Sequence, residues 1–383
     1  MSNNKLLSIV VPTKDRYKYL KYLIGLVADL HSDEIELVIQ DNSENNIEFV
    51  KYLEELNYSF INYNHTQGQI PMAINSDKAI LNSSGEYVCF LGDDDGLTKY
   101  VIDCVKWMSE NNVEAVKSAS VQYSWPDISE GTEGAPSAVV RYKSFTGEVQ
   151  YRNPYKELIK VLKKGIVDRG EMPLVYHSIV KRSALDKVYK KVGTFFPGNS
   201  PDISNAVALS LTVKKYAYIN FPLAFSGASV YHGGGVHATN KAGQPSINEI
   251  PWFRPNAEQN WDKKVPRVAA SSLIWADSAI SALNQMNAGE LYNEISFNKM
   301  YSYFCLRNPG YRNAVLEVCD SKLSFYCNYY SSIVEKYVKA LFRRIGWRIG
   351  LLEKMKCENN INDVIEATAF LEKKATEVHY PFN

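Results

Sequence analysis

The chain has 383 residues, of which 45% are hydrophobic and 22% are charged, so we expect about two globular domains with large cores. Its 43 Lys and Arg against 42 Asp and Glu leave a formal net charge of +1, which argues against nucleic acid as a partner. The six cysteines lack CxxC spacing and are too sparse for a disulfide scaffold, which favours reduced thiols in a cytoplasmic protein.

Strands and helices alternate from the start of the chain to about residue 120. Short apolar runs predict strands, and apolar residues three or four apart predict helices between them. The first of these runs is expected to be a strand and not a signal peptide, and no apolar run approaches the roughly 18 residues of a membrane-spanning helix. This order is typical of βαβ units around a mostly parallel sheet. The predicted strands are 6–12, 35–40, 58–63, 87–91 and 113–119, and the predicted helices are 18–30, 46–56, 70–81 and 97–108.

The second half of the chain changes character near residue 240. Residues 139–150 are expected to form an inserted pair of strands, and helices are expected at 154–164, 183–191 and 203–215. Residues 241–264 are rich in Pro, Asn and Gln and are predicted to be a loop, after which the pattern is helical with no clear strand. We therefore divide the chain into an α/β domain at 1–240, a linker at 241–264 and a helical region at 265–383.

Polar residues follow three of the predicted strands, at positions 13–16, 41–43 and 93–95. Ligands of α/β sheets bind beyond the carboxyl ends of the strands, so these segments are expected to share one edge. The third segment holds three adjacent carboxylates, Asp93, Asp94 and Asp95, which suit a hard cation such as Mg²⁺ or Mn²⁺. The alternative interpretation is a solvated turn in which an Asp caps the next helix.

Three segments in this order resemble the motifs of inverting family 2 glycosyltransferases with a GT-A fold: VVPTKDR at 10–16, QDNS at 40–43 and FLGDDD at 90–95. The resemblance spans roughly residues 5–235. It implies a Rossmann-like mixed sheet that binds a nucleotide-diphosphate sugar, with UDP as the expected nucleotide, and a divalent Mn²⁺ or Mg²⁺ ion.

The resemblance also assigns roles to residues of these segments. Asp41 would hydrogen-bond the uracil ring, Arg16 would lie near the phosphates or the base, and Asp93 would contact the ribose or the donor sugar. Asp95 would be the direct metal ligand, with Asp93 and His232 as further ligands. The donor pocket as a whole would comprise Pro12, Thr13, Asp15, Arg16, Asp41, Gly68, Gln69, Asp93 and Asp94.

Without the resemblance, simpler interpretations remain for several of these residues. Asp15 and Arg16 could form a surface ion pair, and Asp41 could be a turn residue. The loop at 226–237 contains His232 and His237, either of which could contact the diphosphate or the metal or have no function.

An inverting transfer needs a carboxylate that accepts the proton of the acceptor hydroxyl. The family places an acidic residue about one hundred residues after the Asp motif, at the start of a helix, and Asp202 fits that position. The alternative is that Asp202 only caps this helix. Tyr176 and His177 are weaker candidates for contact with the acceptor sugar, since a core Tyr and a hydrogen-bonded His explain them equally well.

Residues 336–356 carry seven Lys or Arg and one Glu, with apolar residues at helical spacing. This pattern predicts a basic amphipathic helix that lies on an anionic membrane or packs on the protein or on a second copy. A membrane contact would place the enzyme on the cytoplasmic face of the inner membrane, and the helical region also offers a homodimer surface.

We expect a metal-dependent inverting glycosyltransferase that transfers a hexose or N-acetylhexosamine to a glycan or a polyprenyl-diphosphate-linked acceptor. Bacterial surface polysaccharide, such as O-antigen or capsule, is the expected product. One rival is a sugar-nucleotide pyrophosphorylase, which needs a Gly-rich loop after the first strand, where this chain has none at 12–16. The other rival is a non-catalytic protein that keeps the fold as a binding module or scaffold.

Overall fold

The computed structural model describes residues 5–131, 134–230, 247 and 250–383. Within these residues, a mixed eight-stranded sheet has the order β3-β2-β1-β4-β10-β6-β11-β9, and β5, β7, β8, β12 and β13 form a second sheet in the order β13-β8-β7-β12-β5. The strands are β1 (Leu7–Thr13), β2 (Ile35–Asp41), β3 (Ile61–His65), β4 (Tyr87–Phe90), β5 (Gly96–Leu97), β6 (Ala115–Ser118), β7 (Gln122–Ser124), β8 (Val139–Tyr142), β9 (Val149–Arg152), β10 (Ser178–Lys181), β11 (Tyr216–Ile219), β12 (Ala224–Ala228) and β13 (Lys356–Asn359).

Helices cover both faces of the large sheet and form most of the chain after residue 270. In the described residues they are α1 (Tyr17–Ala28), α2 (Ile47–Leu56), α3 (Met72–Leu81), α4 (Tyr100–Glu110), α5 (Ile128–Gly131), α6 (Pro154–Lys163), α7 (Arg182–Val192), α8 (Pro201–Ser210), α9 (Ser271–Gln285), α10 (Phe297–Arg307), α11 (Arg312–Val318), α12 (Lys322–Arg348) and α13 (Val364–Ala375), with 3-10 turns at Gly289–Glu294 and Pro309–Tyr311. The expected α/β sheet followed by a helical region is confirmed.

The central strands are apolar along nearly their whole length because both faces of the sheet are covered. Every residue of β2 is buried, and β1 is buried except at Pro12. Such continuous burial is typical of parallel strands between helical layers. In α1, the residues that pack on the sheet are Leu20, Leu23, Ile24 and Val27, the positions expected for one face of a helix.

The register of the parallel strands sets the geometry of their carboxyl edge. Thr13 lies opposite Asp41, and Val10 lies opposite Phe90. Thr13 and Asp93 each lie three residues beyond this second pair, so they are level with each other at the edge of the sheet. Because β10 runs antiparallel to β4, the residues that precede β10 reach this same edge. The sheet thus gathers side chains from four separate parts of the chain.

Three predictions about individual elements are wrong. Residues 139–150 do not form a pair of strands, since β8 joins the small sheet beside β7 while β9 joins the large sheet beside β11. The helical region contains a strand, β13, which pairs with β8. The predicted basic helix does not reach residue 356, because α12 ends at Arg348, before Gly350 adopts a left-handed conformation with φ +72°.

Two of the hydrophobic cores combine residues that are distant in the sequence. In the first, Leu371 of α13 packs with Leu97 and Tyr100 of the sheet domain. In the second, Leu158 of α6 and Ile203 of α8 pack with α9 to α12. The division of the chain at 241–264 remains a prediction. No helix in the described ranges is long and apolar enough to cross a membrane.

Candidate active site

The three acidic residues lie at the carboxyl edge of the large sheet, immediately after β4. Asp93, Asp94 and Asp95 are 2%, 4% and 1% exposed, so their side chains point into the protein and not into solvent. The hydroxyl of Thr13, at the end of β1, donates a 2.7 Å hydrogen bond to Asp93 Oδ2. Burying adjacent carboxylates is costly unless each has a compensating partner.

Arg16 supplies the positive charge for two of these carboxylates. Its Nη2 atom lies 3.1 Å from Asp93 Oδ1 and 2.5 Å from Asp94 Oδ2, and it donates a 2.9 Å hydrogen bond to Ser229 Oγ. Burial raises the pKa of Asp93 to about 7, against the opposing effect of Arg16 and with the support of the Asp94 charge. The expected proximity of residues 13–16 and 93–95 is therefore present, with Arg16 inside the acidic cluster.

Asp95 is held by a different set of donors. Its Oδ2 atom accepts hydrogen bonds from Gly92 N at 2.5 Å and lies 2.6 Å from His177 Nε2, while Oδ1 accepts from Gly227 N at 2.7 Å. Burial by itself would raise the pKa of the Asp95 carboxyl, but His177 and the two backbone N–H groups outweigh it and lower that pKa. The donors thus favour an ionised Asp95 in a buried position.

His177 occupies an unusual backbone conformation beside Asp95. Its φ is +54°, in the left-handed region that costs energy for a residue with a Cβ. His177 N donates a 3.0 Å hydrogen bond to Phe90 O, which stabilises this conformation. The centre of the His177 ring lies 4.0 Å from the centre of the Tyr176 ring. The structure places Tyr176 and His177 against the acidic triplet, and their contact with an acceptor sugar remains a prediction.

Strand β12 closes the other side of the cluster. The Ser229 hydroxyl donates a 2.7 Å hydrogen bond to Asp94 Oδ2, and Trp125 Nε1 donates to Asp94 O at 2.8 Å. A Cβ atom on Gly227 would lie 1.7 Å from Asp94 O, so only glycine fits there. The sequence did not predict roles for Ser229, Trp125 and Gly227, although Gly227 and Ser229 belong to the loop at 226–237 that contains the two histidines.

Asp41 lies at the end of β2 and is fully buried. Its Oδ2 atom accepts hydrogen bonds from the hydroxyls of Tyr17 and Tyr63 at 2.6 and 2.7 Å, and Oδ1 accepts from the backbone and side chain of Ser43. The turn interpretation describes the Ser43 contact, but the two tyrosines make Asp41 the centre of a larger network. Its contact with a uracil ring remains a prediction.

The other donor-pocket candidates are more exposed. Asp15 adopts φ +56°, and Ser43 Oγ lies 2.6 Å from its backbone nitrogen. In the part of the chain that the structure describes, Arg16 pairs with Asp93 and Asp94 and not with Asp15. Gly68 has φ +91°, which favours glycine, and the exposed Gln69 side chain donates to Pro251 O at 3.4 Å. Their contacts with a nucleoside remain predictions.

Asp202 is the second residue of α8. Its Oδ1 atom accepts from Ser200 Oγ at 2.5 Å and from Ile203 N at 2.8 Å, and Oδ2 faces Arg169 Nη1 at 3.3 Å. Its side chain is 22% exposed, which leaves it accessible to a substrate hydroxyl.

Helix α8 is tied to the segment that carries Tyr176 and His177. One turn after Asp202, the fully buried Asn205 accepts a 2.9 Å hydrogen bond from Val175 N and donates to Phe195 O. This amide bridge fixes the start of α8 relative to the edge of the sheet where the acidic triplet lies.

Asp95 suits one position of a shared metal site. Mg²⁺ and Mn²⁺ bind one or two protein carboxylates and complete their shell with substrate phosphates. The three bonds described above leave acceptor capacity on Asp95 Oδ1, since a carboxylate offers about four lone-pair sites. Among the described residues, no group of three His, Cys, Asp or Glu side chains is arranged to hold a metal. His232 and His237 lie outside the described residues.

Comparison with known proteins finds a family model that is similar to part of the chain. Residues 8–182 match the family model described as Glycosyl transferase family 2. No curated protein matches the chain.

Solved structures of S. aureus TarS align with most of the chain at low similarity. TarS 1-349 in complex with UDP-GlcNAc is 13% identical with a TM-score of 0.48, and the alignment covers 88% of this chain and 92% of that one. A second S. aureus TarS structure is 13% identical with a TM-score of 0.44, and the alignment covers 81% of this chain and 55% of that one. Similarity at this level carries no information about activity. The matched residues 8–182 include the carboxyl edge of the large mixed sheet and its acidic motif, so this part of the chain is similar to glycosyl transferase family 2 domains.

Proposed function

We propose that the chain is an inverting, metal-dependent glycosyltransferase that moves a hexosyl or N-acetylhexosaminyl group from a UDP-sugar to a hydroxyl of a glycan or lipid-linked acceptor. The observation that carries the proposal is the buried triplet Asp93–Asp95 at the carboxyl edge of β4, beside Thr13 and Arg16. Ligands of α/β sheets bind at the carboxyl edge of the strands. A buried and only partly neutralised acidic cluster at that edge suits a bound cation.

On the donor side, we assign the diphosphate and the cation to the region around Asp95. A bound Mn²⁺ or Mg²⁺ would neutralise the negative charge that develops on the leaving diphosphate. Asp95 would hold that ion, oriented by the N–H groups of Gly92 and Gly227. Arg16 keeps Asp93 and Asp94 in fixed positions, so that the pocket is arranged before the donor arrives.

On the acceptor side, we assign the base to Asp202. Its carboxylate would accept the proton of the acceptor hydroxyl while that oxygen attacks the anomeric carbon and the bond to the diphosphate breaks. Arg169, at 3.3 Å, limits the rotation of this carboxylate. The Asn205 bridge supports this assignment because it fixes α8 beside Tyr176 and His177.

The biological setting belongs to the same proposal. The family resemblance supports a bacterial surface polysaccharide, such as O-antigen or capsule, as the product. The acceptor would be a growing glycan or a polyprenyl-diphosphate-linked oligosaccharide on the cytoplasmic side of the membrane. A homodimer through the helical region is compatible with this setting.

A nucleotide-binding screen tests the donor assignment first. Purified full chain is heated with UDP, GDP or CMP, with and without Mn²⁺, and Asp95→Asn is compared with Asp29→Asn, a change at an exposed carboxylate immediately after α1. A ligand at a hundred times its Kd stabilises the folded state by about 2.7 kcal/mol. We expect UDP with Mn²⁺ to stabilise the wild type and Asp29→Asn but not Asp95→Asn.

The screen separates the proposal from its rivals. Stabilisation by GDP or CMP alone would contradict the UDP assignment while leaving a nucleotide-sugar site in place. Equal stabilisation with and without metal would contradict the role of Asp95. Binding of no nucleotide by the wild type would favour the non-catalytic scaffold.

A further inference from the structure

Helix α12 leaves the body of the protein after its first two turns. Phe325 and Tyr329 are buried and pack on α10, where the Phe325 ring lies 6.5 Å from the Tyr301 ring. Between Val334 and Ile345, every side chain except that of the half-buried Ala340 is exposed. A helix of 27 residues is about 40 Å long, so much of α12 has no described partner on this chain.

The exposed side chains of α12 include a continuous apolar stripe. Its members are spaced seven, four, three, four and four residues apart, which keeps them on one face of the helix. They are between 44% and 77% exposed: Leu323, Tyr330, Val334, Tyr337, Leu341 and Ile345. This face points away from the side that carries Phe325 and Tyr329. Trp347 in the last turn of the helix and Leu351 in the turn after it add exposed apolar side chains, at 40% and 77%.

The segment that carries this stripe is strongly basic, with Arg344 and Arg348 beside the stripe on the same side of the helix. Residues 336–356 contain seven Lys or Arg and one Glu, although the whole chain has a net charge of only +1. All seven cations are exposed. Two copies packed through this face would bring two strongly positive segments together, whereas an anionic surface would neutralise them. Charge complementarity therefore favours an anionic partner over a second copy.

We propose that α12 and the turn that follows it, residues 323–355, dock the protein on an anionic lipid bilayer. The apolar stripe enters the boundary between headgroups and acyl chains, while Arg344 and Arg348 beside it contact lipid phosphates and the other cations add to the attraction of the anionic surface. The helix lies on the membrane, in keeping with the finding that no described helix can cross one. The inference does not depend on the transfer reaction.

Vesicle flotation of the full chain tests the proposal. The probes are phosphatidylcholine vesicles and vesicles in which about a third of the lipid is phosphatidylglycerol. We expect binding only to the anionic vesicles and a decrease as salt is raised. The double variant Arg344→Gln/Arg348→Gln should lower the partition coefficient at least about tenfold, since each surface cation contributes about a fivefold change.

A matched pair of double variants tests the exposed apolar side chains of α12. Leu341→Ser/Phe342→Ser removes two exposed apolar side chains from α12, and Leu81→Ser/Ile365→Ser removes two exposed ones elsewhere. The first should lower vesicle binding at least about tenfold, and the second should leave it unchanged. Thermal unfolding of each variant is the control that its fold is retained.

Sedimentation without lipid distinguishes a second copy as the occupant. A wild-type dimer that Leu341→Ser/Phe342→Ser converts to a monomer, in a protein that does not float with anionic vesicles, would overturn the proposal. Equal binding to neutral and anionic vesicles would also overturn it, because the cations would then have no part in docking.

Discussion

At the scale of single residues, Asp202 gives the sharpest test, because a helix cap and a catalytic base respond differently to amidation. Asp202→Asn keeps a side-chain oxygen that can accept from Ile203 N but cannot take a proton. We expect kcat to fall at least about 100-fold, with the Kd for the nucleotide sugar unchanged. Full activity in this variant would leave Asp202 with a capping role only.

Gly227 is a second residue whose substitution the structure makes predictable. In Gly227→Ala the new methyl would lie 1.7 Å from Asp94 O, so β12 or the acidic triplet must move. We expect loss of UDP binding and a lower melting temperature. Gly25→Ala in α1 is the matched control, because nothing lies within 4 Å of its Cβ, and it should stabilise the protein by about 0.5–1 kcal/mol. Normal UDP binding by Gly227→Ala would show that β12 does not shape the pocket.

The sequence predicted which residues meet at the triplet only in part. Thr13, Arg16 and Asp93 could be placed together, because neighbouring parallel strands end at one edge. The contacts of Asp95 with His177 and Gly227 could not be predicted, because they depend on β10 running antiparallel and on β12 pairing with β5. Neither the direction nor the pairing of a short strand is encoded in its own apolar pattern.

At the scale of elements, α9 carries a buried carboxyl that makes stability depend on pH. Asp277 accepts a hydrogen bond from Asp262 N at 2.9 Å, and burial raises its pKa to about 7, with Asp262 N opposing and the Asp262 charge reinforcing the shift. The unfolded chain loses this proton near pH 4 and the folded chain near pH 7. Its contribution to stability is therefore complete below pH 4 and is lost as the pH rises to 7.

Urea unfolding between pH 4.5 and 7.5 measures this dependence. The wild type should lose up to about 4 kcal/mol of unfolding free energy from this group as the pH rises, and Asp277→Asn should flatten the profile. Asp29→Asn, at an exposed position, should leave the slope unchanged. An unaltered slope in Asp277→Asn would mean that the carboxyl titrates normally in the folded state.

The elements themselves were most predictable where periodicity was strong. The alternation up to α4 follows from apolar runs that the large sheet buries on both faces, and the predicted ends lie within about three residues of the observed ones. Residues 139–150 were correctly expected to contribute two strands, but the pairing partners of these strands were not predictable. The partners lie at residues 122–124, 216–219 and 356–359. Long-range pairing of this kind has no local signal, so the interpretation as a simple pair was wrong.

At the scale of the whole molecule, α13 links the end of the helical region to the core of the sheet domain. Leu371 is fully buried in the core that contains Leu97, while Ile365 on the same helix is 40% exposed. Leu371→Ala should cost about 2–5 kcal/mol of unfolding free energy, and Ile365→Ala less than about 1 kcal/mol. UDP should still raise the melting temperature of both variants. Equal losses in the two would indicate that α13 is not part of the cooperative core.

The position of α13 also has a consequence for how the protein is made. During translation, strands β1 to β12 are synthesised long before residues 364–375. Until α13 is present, the hydrophobic surface that it covers beside α1 and β5 stays exposed. The sheet domain therefore cannot complete its folding before the helical region has been synthesised. Nascent chains stalled before α13 should remain sensitive to protease, even though they already carry every residue assigned to the transfer reaction.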